Sequence, residues 1–169
     1  IAGGLAYVTE DRKARGIFSM LGVDDNITVT HLAAFARAGL LSNTRRRSAA
    51  AAAVKAFDIR AAGLGQRAGT LSGGNQQKAL VARYVVRPPA VLILDEPTRG
   101  VDVAARAEIY RVMNTLTDDG LGILMISSDL PEILGMSDRI VVMRDGCTTG
   151  VLARHEATAE RVMALATAA

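Results

Sequence analysis

Apolar and polar positions follow two rhythms along this chain. Residues 5–9 (Leu-Ala-Tyr-Val-Thr) form a short β-prone run that breaks into Glu10-Asp11-Arg12-Lys13, predicting a strand followed by a polar loop. From Asn26 to about Leu40, Val29, Leu32, Ala33, Ala36 and Leu40 recur at spacings of three and four, one face of a helix. Ser42 to Arg60 is Ala-rich with Val54 and Phe57 in register, a second helix. Residues 61–70 carry Gly63, Gly65 and Gly69 and read as loop.

After residue 70 the pattern changes. Ser72-Gly73-Gly74 opens a helical stretch that stops at Pro88-Pro89. Val91-Leu92-Ile93-Leu94 is continuously apolar, as in a strand covered on both faces. Asp102 caps a predicted helix over 103–117, with Ala105, Ile109, Val112, Met113 and Leu116 on one face and Gly120 at its end. Gly122 to Ser127 reads as a second buried strand. Asp129 with Glu132 resembles a capping box for a short helix. Ile140 to Met143 reads as a third strand, turning at Asp145-Gly146 into Cys147–Val151, and a last helix runs from about Thr158 to Ala166. Strands alternating with helices over 71–144 imply a parallel sheet covered on both faces. The expected organisation is one α/β domain over 1–169. Residues 1–13 and 71–169 form its core, and about 14–70 form an inserted, purely helical subdomain.

Composition narrows the classes. Of 169 residues, 50% are hydrophobic and only 4% aromatic, so a core is available but must be aliphatic. Net charge is +3, weak support for a polyanionic partner. The one dense basic run, Arg45-Arg46-Arg47, reads as a solvated face. The single Cys147 excludes an internal disulfide. No stretch reaches the ~18 consecutive apolar residues of a membrane span.

Candidate chemistry lies in two segments. Val91–Leu94 is followed by Asp95-Glu96-Pro97-Thr98. In parallel α/β sheets ligands sit beyond the carboxyl ends of the strands, so two acids there suit Mg²⁺ binding and polarisation of an attacking water. Asp-Glu alone is also compatible with a plain polar turn. In Leu71-Ser72-Gly73-Gly74-Asn75-Gln76-Gln77-Lys78, two glycines leave the first amides of a helix unobstructed, a setting that favours phosphate. In isolation this segment is also a capped helix after a glycine turn.

Together these segments resemble the signature and Walker B motifs of ATP-binding-cassette (ABC) ATPases, at that family's spacing. Tyr7–Lys13, Thr98-Arg99-Gly100-Val101-Asp102 and Ser127-Ser128-Asp129-Leu130-Pro131-Glu132 further resemble the second ATPase half of monosaccharide importers of the ribose, galactose and arabinose type. The resemblance implies a P-loop NTPase-like parallel-sheet core with an inserted helical subdomain, using ATP and Mg²⁺. It implies that Leu71, Ser72, Gly73, Gly74 and Gln76 face the ATP of a partner cassette. Asp95 would be the metal-side acid, Glu96 the catalytic acid and Asp102 the residue crossing the cassette interface, a role compatible with plain helix capping. Glu10 and Ser128 would stand at two further nucleotide-facing positions. Implied partners are the first ATPase half of the same polypeptide, the permease and, indirectly, an external sugar-binding protein. The implied place is peripheral, on the cytoplasmic face of the bacterial membrane.

Three departures shape this expectation. No Gly-x-x-x-x-Gly-Lys-Ser/Thr phosphate loop occurs in the chain. In this family that loop precedes the strand at 5–9, so an N-terminally truncated fragment is expected, unable to hold ATP alone. Glu10 stands where the family has Gln, and Ser128 where it has the switch His. A weak or non-hydrolytic site served by an intact signature motif is therefore expected. His31 and His155 follow no Walker-type strand. Two other readings stay open. One is a soluble ABC ATPase acting on DNA or ribosomes, though the long coiled coils or basic linkers of that group are not visible, so no nucleic-acid partner is expected. The other is a purely regulatory cassette without turnover.

Overall fold

A computed structural model describes residues 4–167, which divide into two compact units between Ile126 and Ser127. Strand β1 (Leu5–Val8) enters a tight π-type turn at Arg12–Gly16, where Asp11 accepts from the Ala14 amide at 3.0 Å. Helix α1 (Val23–Thr28) and the single turn α2 (Leu32–Phe35) follow, separated by a 3-10 turn at Val29–His31. Next come a two-residue hairpin, β2 (Ala36–Arg37) with β3 (Leu40–Leu41), then α3 (Asn43–Ala56), α4 (Gly73–Val85), β4 (Val91–Asp95), α5 (Val103–Asp118) and β5 (Gly122–Ile126). The second unit holds α6 (Leu130–Met136), β6 (Arg139–Arg144), β7 (Cys147–Ala153) and α7 (Ala159–Thr167).

The central sheet is parallel in the order β1-β4-β5, with Tyr7 beside Ile93 and Ile93 beside Leu124. Its residues Ala6, Val8, Leu92 and Leu94 are buried, and Leu80, Val81, Ile109 and Met113 of α4 and α5 join them in the core. The other face differs from the expectation of cover on both sides. Leu5, Tyr7, Leu124 and Ile126 keep 52%, 49%, 53% and 47% of their surface exposed. Strand apolarity records that a face is fit for burial, whereas coverage depends on what packs there.

The inserted segment also departs from its prediction. The helix expected from Asn26 to Leu40 begins earlier and ends at Phe35, because Ala38 and Gly39 both take positive φ (49° and 79°) and turn the chain into the β2–β3 hairpin. The subdomain is therefore not purely helical. Arg46, expected in a solvated run, is buried on α3 and paired with Asp24 (3.3 Å) and Asp25 of α1. A buried guanidinium requires such partners. A second polar knot ties α1 to α4. Arg83 Nε donates to Asn26 O (2.7 Å), its Nη1 to Gly16 O (2.7 Å), and its guanidinium lies 5.4 Å from the Phe18 ring centroid.

In the second unit, β6 does not extend the parallel sheet. It pairs antiparallel with β7 across Asp145-Gly146, whose positive φ values (51° and 78°) suit a two-residue hairpin. Ile140, Val142, Leu152 and Val162 form the core of this unit. Asp129 caps α6 through the Glu132 amide (3.1 Å), but Glu132 does not complete a capping box. Its carboxylate is buried and accepts from the Ser127 hydroxyl at 2.5 Å.

Candidate functional site

β4 ends where the acids begin. Asp95 is its last residue, and Glu96 leaves the strand with φ +47°, a left-handed conformation costing a non-glycine residue about 1 kcal/mol. Two backbone bonds impose it: the Glu96 amide donates to Ile126 O (2.8 Å) and Glu96 O accepts from the Arg99 amide (3.1 Å). Pro97 and Thr98 are buried directly behind, so the turn is held from within. Strain concentrated at an acid just past a strand end is a mark of a functional turn.

Asp95 has a partner that sequence reasoning did not single out. Tyr7 Oη donates to Asp95 Oδ2 at 2.5 Å. Accepting carboxylate and burial, in that order, raise the phenol above its usual 10.0. The sequence held a signal for this contact. Residues 5 and 7 share a face of β1, Tyr7 pairs with Ile93, and Asp95 lies two residues further on the same face.

The second segment is the tip of α4. Ser72 is its N-cap in extended conformation, yet no side chain caps the first turn. The Ser72 hydroxyl instead accepts from Asn75 Nδ2 (2.9 Å), and Asn75 Oδ1 accepts from the Arg60 amide (2.8 Å). Leu71 and Gln76 are buried. Gln76 Nε2 donates to the carbonyls of Ala68 (3.3 Å), Gly69 (3.4 Å) and Leu71 (3.2 Å), so this amide group shapes its own loop. The helix macrodipole and the uncapped first turn favour an anion at the tip.

A Cβ has little room at either glycine of the tip. A Cβ on Gly73 would meet Arg12 Nη2 at 2.8 Å and Gly100 O at 3.3 Å. A Cβ on Gly74 would overlap Ala105 Cβ. The tip is therefore packed against the turn that follows the acids. Asp102 caps α5 by accepting from the Ala105 amide (2.9 Å), which orders the same turn. Further along, Lys78 of α4 is buried and donates to Glu108 Oε2 of α5 (2.9 Å) and to Asp58 O. The Lys78 bond, the first cause, lowers the Glu108 carboxyl below its usual 4.5.

Glu10 lies in the same neighbourhood and is ion-paired with Arg99. Glu10, Asp11, Arg12, Lys13, Arg15 and Arg99 line an open polar basin of about 540 Å³. Ser128 is exposed at the start of the second unit. No cluster of three His, Cys, Asp or Glu side chains suited to a metal occurs among the described residues. A nucleotide-borne Mg²⁺ does not need one, because phosphate oxygens and water supply most of its ligands beside one or two carboxylates. Asp95, at a strand's carboxyl end, fits that donor set. No helix among the described residues is long and apolar enough to cross a membrane.

Comparison with known proteins agrees with this geometry. The chain is 49% identical over 97% of its length to a ribose import ATP-binding protein of Rubrobacter xylanophilus, and 48% identical over 99% to one of Yersinia pestis. It spans about a third of those relatives (32% and 33% of their lengths). Its fold is similar to that of an ATP-binding cassette solved as a dimer in a post-hydrolysis state with ADP and Pi (TM-score 0.73, 21% identity, covering 89% of this chain and 62% of that one). The ABC transporter family matches residues 2–99, more than half of the chain. With its parallel α/β core and the tip of α4 packed against the turn after Asp95-Glu96, this chain belongs to the ABC transporter family.

Proposed function

We propose that this chain is part of the ATP-hydrolysing cassette of a monosaccharide importer and that it completes, with its signature segment, an ATP site held mainly by a sister cassette. One observation carries the reading: an uncapped helix tip, stripped of side chains at Gly73 and Gly74, is packed against the turn that follows two acids at a strand end. The printed names of the ribose import relatives supply the transport class.

The amides of Gly73 and Gly74 and the exposed Ser72 hydroxyl bind the terminal phosphate of the sister cassette's ATP. Helix-end amides do this without reorganisation, because packing has already fixed them. Asp95, oriented by Tyr7, holds the metal side, and Glu96 accepts hydrogen bonds from an attacking water. Mg²⁺, when bound with ATP, neutralises phosphate charge. Asp102 fixes the turn that meets the sister cassette, and Glu10 faces the nucleotide when released from Arg99. Ser128 offers no imidazole to the terminal phosphate, so this half's own site is weak or non-hydrolytic, at a cost of roughly 10²-fold in rate. The protein sits peripherally on the cytoplasmic side, beside the permease that receives sugar from an external binding protein. The printed names of the ribose import relatives favour this reading over a DNA- or ribosome-directed ATPase.

The test is Ser72→Arg in the full-length protein, assembled with its permease in liposomes. Ser72 is exposed, so the variant should fold. Sugar-stimulated ATP hydrolysis should vanish while the amount of assembled complex stays constant. Undiminished stimulation would contradict the proposed division of labour.

A further inference from the structure

We propose that Arg12 is a positioning residue. Its forked guanidinium fastens the loop after β1 to the turn after Glu96 and to the tip of α4, so that displacement of that loop is transmitted to the phosphate-facing amides.

The contacts form a closed chain. Arg12 Nη1 donates to Arg99 O at 2.8 Å and Nη2 to Gly100 O at 3.0 Å. That same Nη2 occupies the space a Cβ on Gly73 would need, and Gly100 O borders it. The connection also runs the other way, because the Arg99 guanidinium pairs with Glu10. Each loop thus sends an arginine to the other. Gly100 presents its carbonyl from a left-handed conformation (φ +66°).

Arg12 is itself firmly based. It opens the Arg12–Gly16 turn, closed by the Asp11–Ala14 contact and by the Ile17 amide donating to Arg12 O at 2.7 Å. The far end of that turn is pinned to the body of α4. Gly16 abuts Leu80, leaving no room for a Cβ, and Arg83 Nη1 donates to Gly16 O. A five-residue turn is therefore held against one helix at two places, the tip through Arg12 and the body through Gly16. A rigid element with two attachments moves as a unit with what it grips. The planar fork matters because two carbonyls on successive residues must be engaged at once. A lysine ammonium, a point donor on a flexible stem, reaches one of them well.

The catalytic consequence rests on the function proposed above, whereas the fastening itself does not. The experiment uses the full-length protein with its permease in liposomes, in a cysteine-free background carrying nitroxides at Lys13→Cys and Val103→Cys. Both positions are exposed, and neither side chain makes the gripping contacts. Arg12→Met should broaden the Lys13–Val103 distance distribution, and Arg12→Lys should give an intermediate width. Sugar-stimulated kcat should fall about tenfold in Arg12→Met with the KM for ATP held within about twofold, since misplaced catalytic contacts slow turnover more than they weaken a ligand bound elsewhere. Arg12→Lys should recover part of kcat, a rescue that loss of folded protein would not produce. An unchanged distance distribution in Arg12→Met overturns the fastening. A broadened distribution with parental kcat overturns the transmission. If the Arg12 parent itself shows no sugar stimulation, the transport reading fails, and the distance measurement still decides the fastening.

Discussion

Gly74→Ala tests how tightly the tip of α4 is bound to the turn behind the acids. Gly74 is buried, its φ is not positive, and the backbone accepts alanine, so any penalty comes from space. The new methyl would overlap Ala105 Cβ and lie 3.6 Å from Ala105 Cα. Carbon atoms prefer separations of about 3.5–4.0 Å, so the two helices must part by roughly 1 Å. Overpacking of this kind costs about 1–3 kcal/mol, partly offset by up to ~1 kcal/mol of helix propensity gained on replacing glycine. Net destabilisation of about 1–2 kcal/mol should appear as a lower urea midpoint with an unchanged slope. The functional loss should be larger, because a displacement of about 1 Å at a catalytic contact can cost ~10²-fold. Sugar-stimulated hydrolysis by the reconstituted full-length protein measures it. The decisive control is Ala105→Gly, which removes the opposing methyl. The double variant Gly74→Ala/Ala105→Gly should recover most of the turnover, although Ala105→Gly alone costs about 1 kcal/mol of helix propensity. Additive losses in the double variant, or parental turnover in Gly74→Ala, would refute the steric account. Gly73→Ala should be milder in stability, because its nearest neighbour is the end of the Arg12 side chain rather than a Cβ fixed to a helix.

Glu108→Ala should lower stability by about 3 kcal/mol in urea titrations at pH 7, because the buried Lys78 ammonium loses its carboxylate. In the parent, Glu108 has a lowered folded-state pKa, so its contribution is complete above the ordinary 4.5 and is lost as pH falls through the lower folded value. The stability gap between parent and Glu108→Ala should therefore close on acidification. Tyrosinate absorbance should show a component titrating above 10, and Tyr7→Phe should remove it; its persistence would separate Tyr7 from Asp95. Calorimetric titration of the 169-residue chain with Mg–ATP should give no measurable heat of binding, since the chain contains no phosphate-loop motif, and micromolar affinity would contradict this.

Much of the chemistry was legible along the chain because it is local. An apolar run ending in Asp95-Glu96 and a Ser-Gly-Gly opening a helix depend on near neighbours, and the structure places each on its expected strand end or helix tip. The Asp102 and Asp129 caps and the Asp145-Gly146 turn are local for the same reason, each closing a bond or a turn within four residues. Partnerships between distant residues were not legible. Nothing near Arg12 in sequence announces Arg99 and Gly100, nothing near Arg46 announces Asp24, and the Tyr7–Asp95 bond needs the register of β1 on β4. The hairpin that ends the expected Asn26–Leu40 helix was not legible because apolar spacing of three and four also fits a helix broken by a left-handed turn. Hydrophobic periodicity and turn chemistry are written into neighbouring residues, so the sequence alone determined the strand ending in Asp95-Glu96, the helix opened by Ser72-Gly73-Gly74 and the Asp145-Gly146 turn. Long-range contacts depend on how those segments pack, so only the tertiary structure decided which charges are buried, which carbonyls Arg12 grips and which face of the sheet stays open.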